Sequence, residues 1–364
     1  MSTIFILGGY GSTGKLLARD LLSFTSAELV IAGRRLDQAQ RLADELNNPR
    51  LTARQVDAAD GGALRTALQG ADLCLVAAPT THHTPTVSRA CLDAKVDYLD
   101  IQFSTVKLAT LQAVSNEICE AGLCFVTEAG YHPGLPSVMV RYAASKLDVI
   151  ESAVTAGYLN VGPSLPYTEA VDELMEAFIH YEAQVFKNGA WTKPNQWTMT
   201  KFDFDPGIGI HTCYSMFFEE LRGLPDMYPT LKDIGFYISG SNWIADLLVT
   251  PLVMVGLKLA PRRGLRPLGK LMWWAMQQSK PPYQVMIAIE AKGQKNGKPA
   301  KVFASVAHPD GYELTAIPVV AYLKQYLDGS ARKPGLHLMG HLAEPQRLFK
   351  DIQEMGAKIS TSET

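Results

Sequence analysis

Apolar residues in the first third of the chain come as short unbroken runs, separated by segments in which they recur every three or four positions. Ile4–Leu7 is an unbroken run of strand length. A glycine-rich stretch, Gly8 to Gly14, follows it, and Lys15–Leu22 then place Leu17, Leu21 and Leu22 on one helical face. The alternation continues with predicted strands over Glu28–Ala32, Leu51–Val56, Asp72–Ala77, Asp97–Ile101 and Cys124–Thr127. Helical periodicity fills the gaps at Asp37–Leu46, Ala63–Leu68, Thr84–Ala94 and Val106–Ala121. Repeated strand–helix alternation predicts a parallel, doubly wound sheet that binds its ligand at the carboxyl ends of its strands.

Beyond residue 135 the pattern changes. Val149–Leu159 reads as a long strand and Thr168–Phe186 as a helix. Gln284–Lys292 and Lys301–Ala307 alternate on either side of a Gly293–Gly297 turn, which predicts a hairpin. Tyr312–Leu327 reads as a helix closed by Gly329, and Leu342–Met355 as a final helix. The fold class is therefore α/β. Residues 1–135 form an N-terminal Rossmann-type doubly wound parallel sheet, and 136–335 a second α/β (α+β) domain for substrate or oligomerisation. Residues 336–364 are expected as a C-terminal helical segment packing back on the first domain.

At 364 residues and 47% hydrophobic content the chain has enough apolar surface for two cores. A net charge of -2 with no long Lys/Arg block argues against nucleic acid as a partner; Arg262, Arg263 and Arg266 read as a solvated loop. The five cysteines, Cys74, Cys91, Cys119, Cys124 and Cys213, are odd in number and show no CxxC spacing. They predict neither a disulfide framework nor a zinc site, and a reducing, cytoplasmic setting. No secretory leader pattern opens the chain. Ile244–Leu259 carries only Asp246 and Lys258 as charges, yet it is shorter than the roughly 20 apolar residues a membrane span requires, and it contains Pro251. It is expected in the second domain's core or at a subunit interface, which allows a homodimer. A lid or an interfacial membrane contact is the alternative.

Gly9, Gly11 and Gly14 satisfy G-x-G-x-x-G between a strand and a helix. The first glycine permits the tight turn, the second lets the backbone approach a pyrophosphate, and the third lets the helix pack closely on the strand. Tyr10, Ser12 and Thr13 share this loop, and the two hydroxyl residues add donors. An NAD enzyme places an acid at the end of the second strand to bind the ribose 2′-hydroxyl. Here that strand ends in Gly33-Arg34-Arg35, and two guanidinium groups suit a 2′-phosphate instead. NADP(H) is the expected cofactor. Asp57, at the end of the third strand, either contacts the adenine or caps the next helix. Ala78 and Pro79, after the fourth strand, are small residues expected beside the cofactor.

On four stretches the sequence resembles the saccharopine dehydrogenase-like family of NADP(H) oxidoreductases. They are Gly8–Gly14; Ala77–Ile101 with its Tyr98-Leu99-Asp100; Gly130-Tyr131-His132-Pro133-Gly134-Leu135; and, more diffusely, the hairpin followed by Thr315-Ala316-Ile317-Pro318 and Gly329. The resemblance implies a second α/β domain whose sheet covers the nicotinamide. It implies reduction of an imine (C–N) bond, or in other relatives of a C=O or C=C bond, in a small-molecule substrate. The chain departs from the amino-acid-metabolising members in carrying His132 where they often have Asp, and basic residues for two substrate carboxylates are not evident.

The proton donor for such chemistry is sought at the ends of the fifth and sixth strands, among Tyr98, Asp100, Glu128, Tyr131 and His132. His132 leads, because an unperturbed imidazole titrates near neutrality; the bland reading is a turn histidine. His82 and His83 read as exposed loop residues. A competing signature, Tyr142-x-x-x-Lys146, matches the catalytic pair of short-chain dehydrogenases, against a packing helix begun by Pro136. Asp172, Glu173 and Glu176 read as a solvated face, and Trp191 and Trp197 flank an irregular segment with Lys193 and Asn195. His337 and His341 have ligand spacing but no third partner, so no metal is expected. Trp243, Trp273 and Trp274 suggest an apolar substrate. The alternative to an enzyme is an NADP(H)-binding sensor or interaction protein without turnover.

Overall fold

The computed structural model describes residues 2–160, 162–163, 167–168, 171–172, 175–176, 179, 182–194, 199–204, 207–240 and 242–364, with the backbone alone at 261–262. Glu173, Asn195, Trp197 and much of the expected Thr168–Phe186 helix lie outside the described residues. The chain divides into two units: Met1–Gly134 with Thr315–Glu344, and Leu135–Leu314 with Pro345–Thr364.

The first unit is built on a seven-stranded sheet. Its strands are β1 (Thr3–Leu7), β2 (Glu28–Gly33), β3 (Leu51–Gln55), β4 (Leu73–Val76), β5 (Asp97–Asp100), β6 (Cys124–Thr127) and a late strand, Gly335–Leu338. Their order is Gly335–Leu338, β6, β5, β4, β1, β2, β3, and every pairing is parallel. The unbroken apolar runs arise because central strands here are covered on both faces: Ile4, Phe5 and Ile6 are all 0% exposed. The connecting helices are α1 (Ser12–Phe24), α2 (Leu36–Leu46), α3 (Gly61–Ala67), α4 (Thr84–Ala94), α5 (Thr105–Ala113) and α6 (Ser115–Glu120). The single helix expected over Val106–Ala121 is thus broken at Val114, whose ψ of 11° leaves the helical region. Strand order reverses between β1 and β4, which puts the topological switch point between the loops that follow those two strands.

The stretch Thr315–Glu344 is clamped to this sheet by one buried carboxylate. Asp97 accepts from the guanidinium of Arg332 at 2.7 and 3.2 Å, from the Tyr326 hydroxyl at 2.6 Å and from the Cys124 amide at 2.9 Å.

The second unit holds a nine-stranded mixed sheet. Helix α7 (Leu135–Ala144) opens it, and β7 (Val149–Asn160) is its central strand. The remaining strands are β8 (Val185–Lys187), β9 (Ala190–Thr192), β10 (Met199–Asp203), β11 (Ile210–Met216), β12 (Asp233–Ser239), β13 (Gln284–Lys295), β14 (Lys298–His308) and the terminal Lys358–Glu363. β7 runs parallel to β12 and antiparallel to β13. The β13–β14 hairpin turns at Asn296-Gly297, both with positive φ (53° and 71°), so the strands run longer than the Gly293–Gly297 turn expected from the sequence. An Asn-Gly pair is the favoured chemistry for a two-residue hairpin loop.

Residues 336–364 do not form one helical segment on the first unit. Gly335–Leu338 is a strand beside β6, Pro345–Glu354 is a helix of the second unit, and Lys358–Glu363 is an edge strand on β14. Its mostly exposed sequence, KISTSE, carries no apolar alternation, and backbone pairing alone makes it a strand. Ile244–Leu259 is helical, a π-helical turn (Ile244–Val249) running into Thr250–Leu259. The helix Pro261–Met276 packs against it, with Val253, Leu257 and Ala275 in their shared core.

Candidate functional site

The glycine loop after β1 is shaped by contacts that side chains would destroy. Gly8 has φ +83°, and a Cβ there would lie 2.5 Å from the Ala78 Cβ. A Cβ on Gly14 would lie 2.3 Å from the Gly8 carbonyl oxygen, so α1 starts in direct contact with the loop. Gly11 differs: among the described residues its added Cβ would find only the Gly8 oxygen, at 3.2 Å, and would otherwise project into open space at the start of α1. Gly11 is also the N-cap of α1, which has no side-chain cap and no acid in its first turn. The first-turn amides and the positive helix end therefore remain for an anion. Ser12 is exposed and Thr13 half-buried on that turn.

Tyr10 connects this loop to the tip of β2. Its ring lies against Gly33, where a Cβ would come within 2.6 Å of it. Its hydroxyl accepts the backbone N–H of Arg35 at 3.2 Å, and the Arg35 guanidinium sits 5.6 Å from the ring centroid. Arg34 and Arg35 are both exposed. Asp57 is exposed at the end of β3, where its Oδ1 accepts the Ala59 N–H at 3.0 Å. The cap of α3 is Asp60, not Asp57.

Across the switch point, Ala78 and Pro79 follow β4. The amide nitrogen of Gln102, just beyond β5, donates to the Ala78 carbonyl at 2.5 Å and to Thr80 Oγ1 at 3.3 Å. Gln102 is 5% exposed, and its Oε1 has no partner among the described residues. The sequence reading missed Gln102, and a lone glutamine after a strand carries no distinguishing signal.

Tyr98 and Asp100 are placed differently from free proton donors. Asp100 is 0% exposed and accepts five hydrogen bonds. The Tyr98 and Thr127 hydroxyls reach its Oδ2, each at 2.8 Å. The Lys107 ammonium reaches Oδ1 at 2.6 Å, joined there by the amides of Gln102 and Glu128 at 3.1 and 3.3 Å. Tyr98 stacks on Phe125 within the core, and burial with the neighbouring Asp100 charge pushes its phenol well above the ordinary range. The pair thus fixes the ends of β5 and β6 from inside. Lys107 was also missed, because nothing local marks a lysine as fully buried.

Above this hub, Glu128 is buried in the left-handed region at φ 57°. Non-glycine residues held there tend to cluster at functional sites. The following turn closes by a Tyr131–Gly134 bridge, and a Cβ on Gly134 would lie 2.4 Å from the Gly130 oxygen. His132 sits in that turn, its ring 3.7 Å from that of Tyr131. Burial lowers the His132 pKa to about 4. Burial thus works against an imidazole that titrates near neutrality. Burial likewise raises the Tyr131 phenol.

Residues 4–125 match the family model described as the saccharopine dehydrogenase NADP binding domain. The chain carries a saccharopine dehydrogenase-type NADP-binding domain over these residues and is an NADP(H)-dependent oxidoreductase. Among curated relatives it is 26% identical to the carboxynorspermidine synthase of Vibrio cholerae, over 90% of this chain and 89% of that one. It is 26% identical to the carboxyaminopropylagmatine dehydrogenase of a Synechocystis species, over 66% of this chain and 63% of that one. Among solved structures, saccharopine dehydrogenase (L-Glu forming) from Saccharomyces cerevisiae superposes with a TM-score of 0.70 at 14% identity, covering 100% of each chain.

The oxidoreductase does not assemble the short-chain dehydrogenase pair. Helix α7 ends at Ala144, before Lys146. The Tyr142 ring is stacked on Phe349 at 4.3 Å, with the Lys146 ammonium 5.3 Å from its centroid. Both residues belong to the second unit, whereas the glycine loop belongs to the first. The His337 ring hydrogen-bonds the Pro334 carbonyl at 3.2 Å.

Proposed function

We propose that this oxidoreductase reduces an imine formed between an amine and a carbonyl compound, giving a secondary amine. The observation that carries the reading is the cradle at the switch point, open at Gly11 and flanked by Arg34 and Arg35. Its support for the bond type comes from the two curated relatives, both named for carboxylated amines.

The residues fit NADP(H) in shape and charge. Gly9, Gly11 and Gly14, with the amides of Ser12 and Thr13, hold the pyrophosphate on the start of α1. Tyr10 and the guanidinium groups of Arg34 and Arg35 hold the 2′-phosphate, and Asp57 lies on the adenosine side. Ala78 and Pro79 leave room on the nicotinamide side, and the buried Gln102 Oε1 is an acceptor for its carboxamide. When bound, the cofactor supplies a hydride. An iminium substrate brings its own proton on nitrogen, and that proton stays in place when the C=N π pair returns to nitrogen. A neutral His132 suits this chemistry: it accepts or donates a hydrogen bond without repelling the substrate's positive charge. Tyr98, Asp100 and Lys107 position the ends of β5 and β6 that carry Gln102 and Glu128. The unpaired cysteines suit a reducing cytoplasm.

The test offers NADPH with imines preformed from a panel of amines and aldehydes or keto acids, alongside the parent ketones and enones, and follows nicotinamide absorbance. Turnover confined to the imine set supports the proposal. Turnover of ketones or enones alone overturns the bond assignment, and NADPH binding with no turnover on any panel overturns the proposed reaction.

A further inference from the structure

The helical hairpin of the second unit presents an apolar face to water. Four residues spaced by four, Ala245, Val249, Val253 and Leu257, form its buried stripe. Its outer surface is apolar too: Trp243, Leu247, Leu248, Leu252, Val255 and Leu259 are 55–82% exposed. A helix that is apolar all round is normally covered on all sides. Trp274, 52% exposed, closes the far end of the second helix.

The charge of the same hairpin says what covers it. Residues 243–276 contain five basic side chains, Lys258, Arg262, Arg263, Arg266 and Lys270, against the single acid Asp246. That is a net +4 in a chain whose total is -2. Lys258, Arg263, Arg266 and Lys270 are exposed. Asp172 lies 3.9 Å from the Arg266 guanidinium. Arg263, Arg266, Lys270 and Trp274 recur at three or four residues, so they share one face of the second helix.

We infer that this hairpin is an interfacial docking surface for an anionic lipid bilayer. Exposed leucines, flanking tryptophans and a cationic face are the combination that settles a helix at the headgroup boundary. No described helix is long and apolar enough to cross a membrane, so the hairpin lies on the surface and does not span it. A second copy of the chain fits less well. A two-fold contact pairs a patch with itself, and here it would bring two surplus-positive hairpins together.

The test is flotation of the full chain with vesicles of phosphatidylcholine alone, and of phosphatidylcholine containing about one third phosphatidylglycerol. The protein is expected to float with the anionic vesicles and to lose most of that binding between about 0.1 M and about 1 M salt. The variants Leu248→Glu/Leu252→Glu and Arg263→Glu/Arg266→Glu are each expected to weaken binding roughly tenfold or more. These positions are exposed, and unchanged circular dichroism and melting temperature of the variants certify their fold. Absence of binding to anionic vesicles overturns the inference. So does a concentration-dependent dimer that both variants dissolve without any vesicle binding, since a second copy is then the occupant. Neither result bears on the imine assignment, which is read from turnover.

Discussion

The Tyr10 hydroxyl accepts the Arg35 backbone N–H at 3.2 Å while the Arg35 guanidinium lies 5.6 Å from the Tyr10 ring. The glycine loop and the tip of β2 are thereby tied by one side chain, and both exposed guanidinium groups are left facing solvent beside the loop. A hydrogen bond to a charged group contributes about 1.5–3 kcal/mol, or roughly 10–150-fold in affinity. Arg34→Ala/Arg35→Ala is therefore expected to raise the Kd for NADPH by at least about tenfold while changing the Kd for NADH less than about threefold. Calorimetry with both cofactors checks this, and equal losses would remove the 2′-phosphate assignment.

Two glycines of the same loop separate folding from binding. An alanine Cβ at Gly14 would lie 2.3 Å from a backbone oxygen that cannot yield without moving β1. Overpacking of this kind costs roughly 1–3 kcal/mol or more, so Gly14→Ala is expected to lower the melting temperature. At Gly11 the nearest atom is 3.2 Å away and the Cβ points into open space. Gly11→Ala is expected to melt close to the parent chain yet bind NADPH at least about tenfold more weakly, because the methyl occupies the pyrophosphate's approach. Thermal melts and cofactor titrations on both variants distinguish the two costs.

How far the sequence reaches is visible in these residues. The glycine loop and the β2 tip are local: spacing along a few residues dictates their geometry, and they were legible in full. Asp100 looked like a proton donor because sequence shows residue type and strand end, while three of the five groups that saturate it, the Thr127 hydroxyl, the Glu128 amide and the Lys107 ammonium, arrive from the end of β6 and from α5. His132 looked titratable because burial is a tertiary property. The strand Lys358–Glu363 falls in a stretch whose sequence suggests a helical segment, since an exposed edge needs no apolar alternation and its partners on β14 lie about fifty to sixty positions away.

The Asp100–Lys107 pair is fully buried on both sides, at 2.6 Å. Removing one member of such a pair leaves an uncompensated charge and costs roughly 3–5 kcal/mol. Lys107→Met is expected to lower the urea midpoint accordingly. Lys107→Met/Asp100→Asn, which removes both charges, is expected to recover part of the loss. Urea unfolding followed by circular dichroism reads both. If Lys107→Met alone were as stable as the parent chain, Asp100 would not be the hub that holds the ends of β5 and β6.

His132 sets a pH dependence whose sign is fixed by burial. Its folded pKa is about 4 against an ordinary 6.5. Between those values the unfolded chain binds the proton and the folded chain does not, so stability rises with pH across the window. The contribution is complete above about pH 6.5 and is lost as pH falls towards about 4, at a total on the order of 3 kcal/mol. His132→Gln cannot take up this proton and is expected to flatten that part of the curve, leaving a shallower decline from the carboxylates. Urea midpoints of the parent and the variant, measured at intervals from pH 7 down to pH 4, provide the comparison. Parallel curves would mean that His132 is protonated as readily in the folded protein as in the unfolded chain. A neutral imidazole beside the substrate would then have to be abandoned.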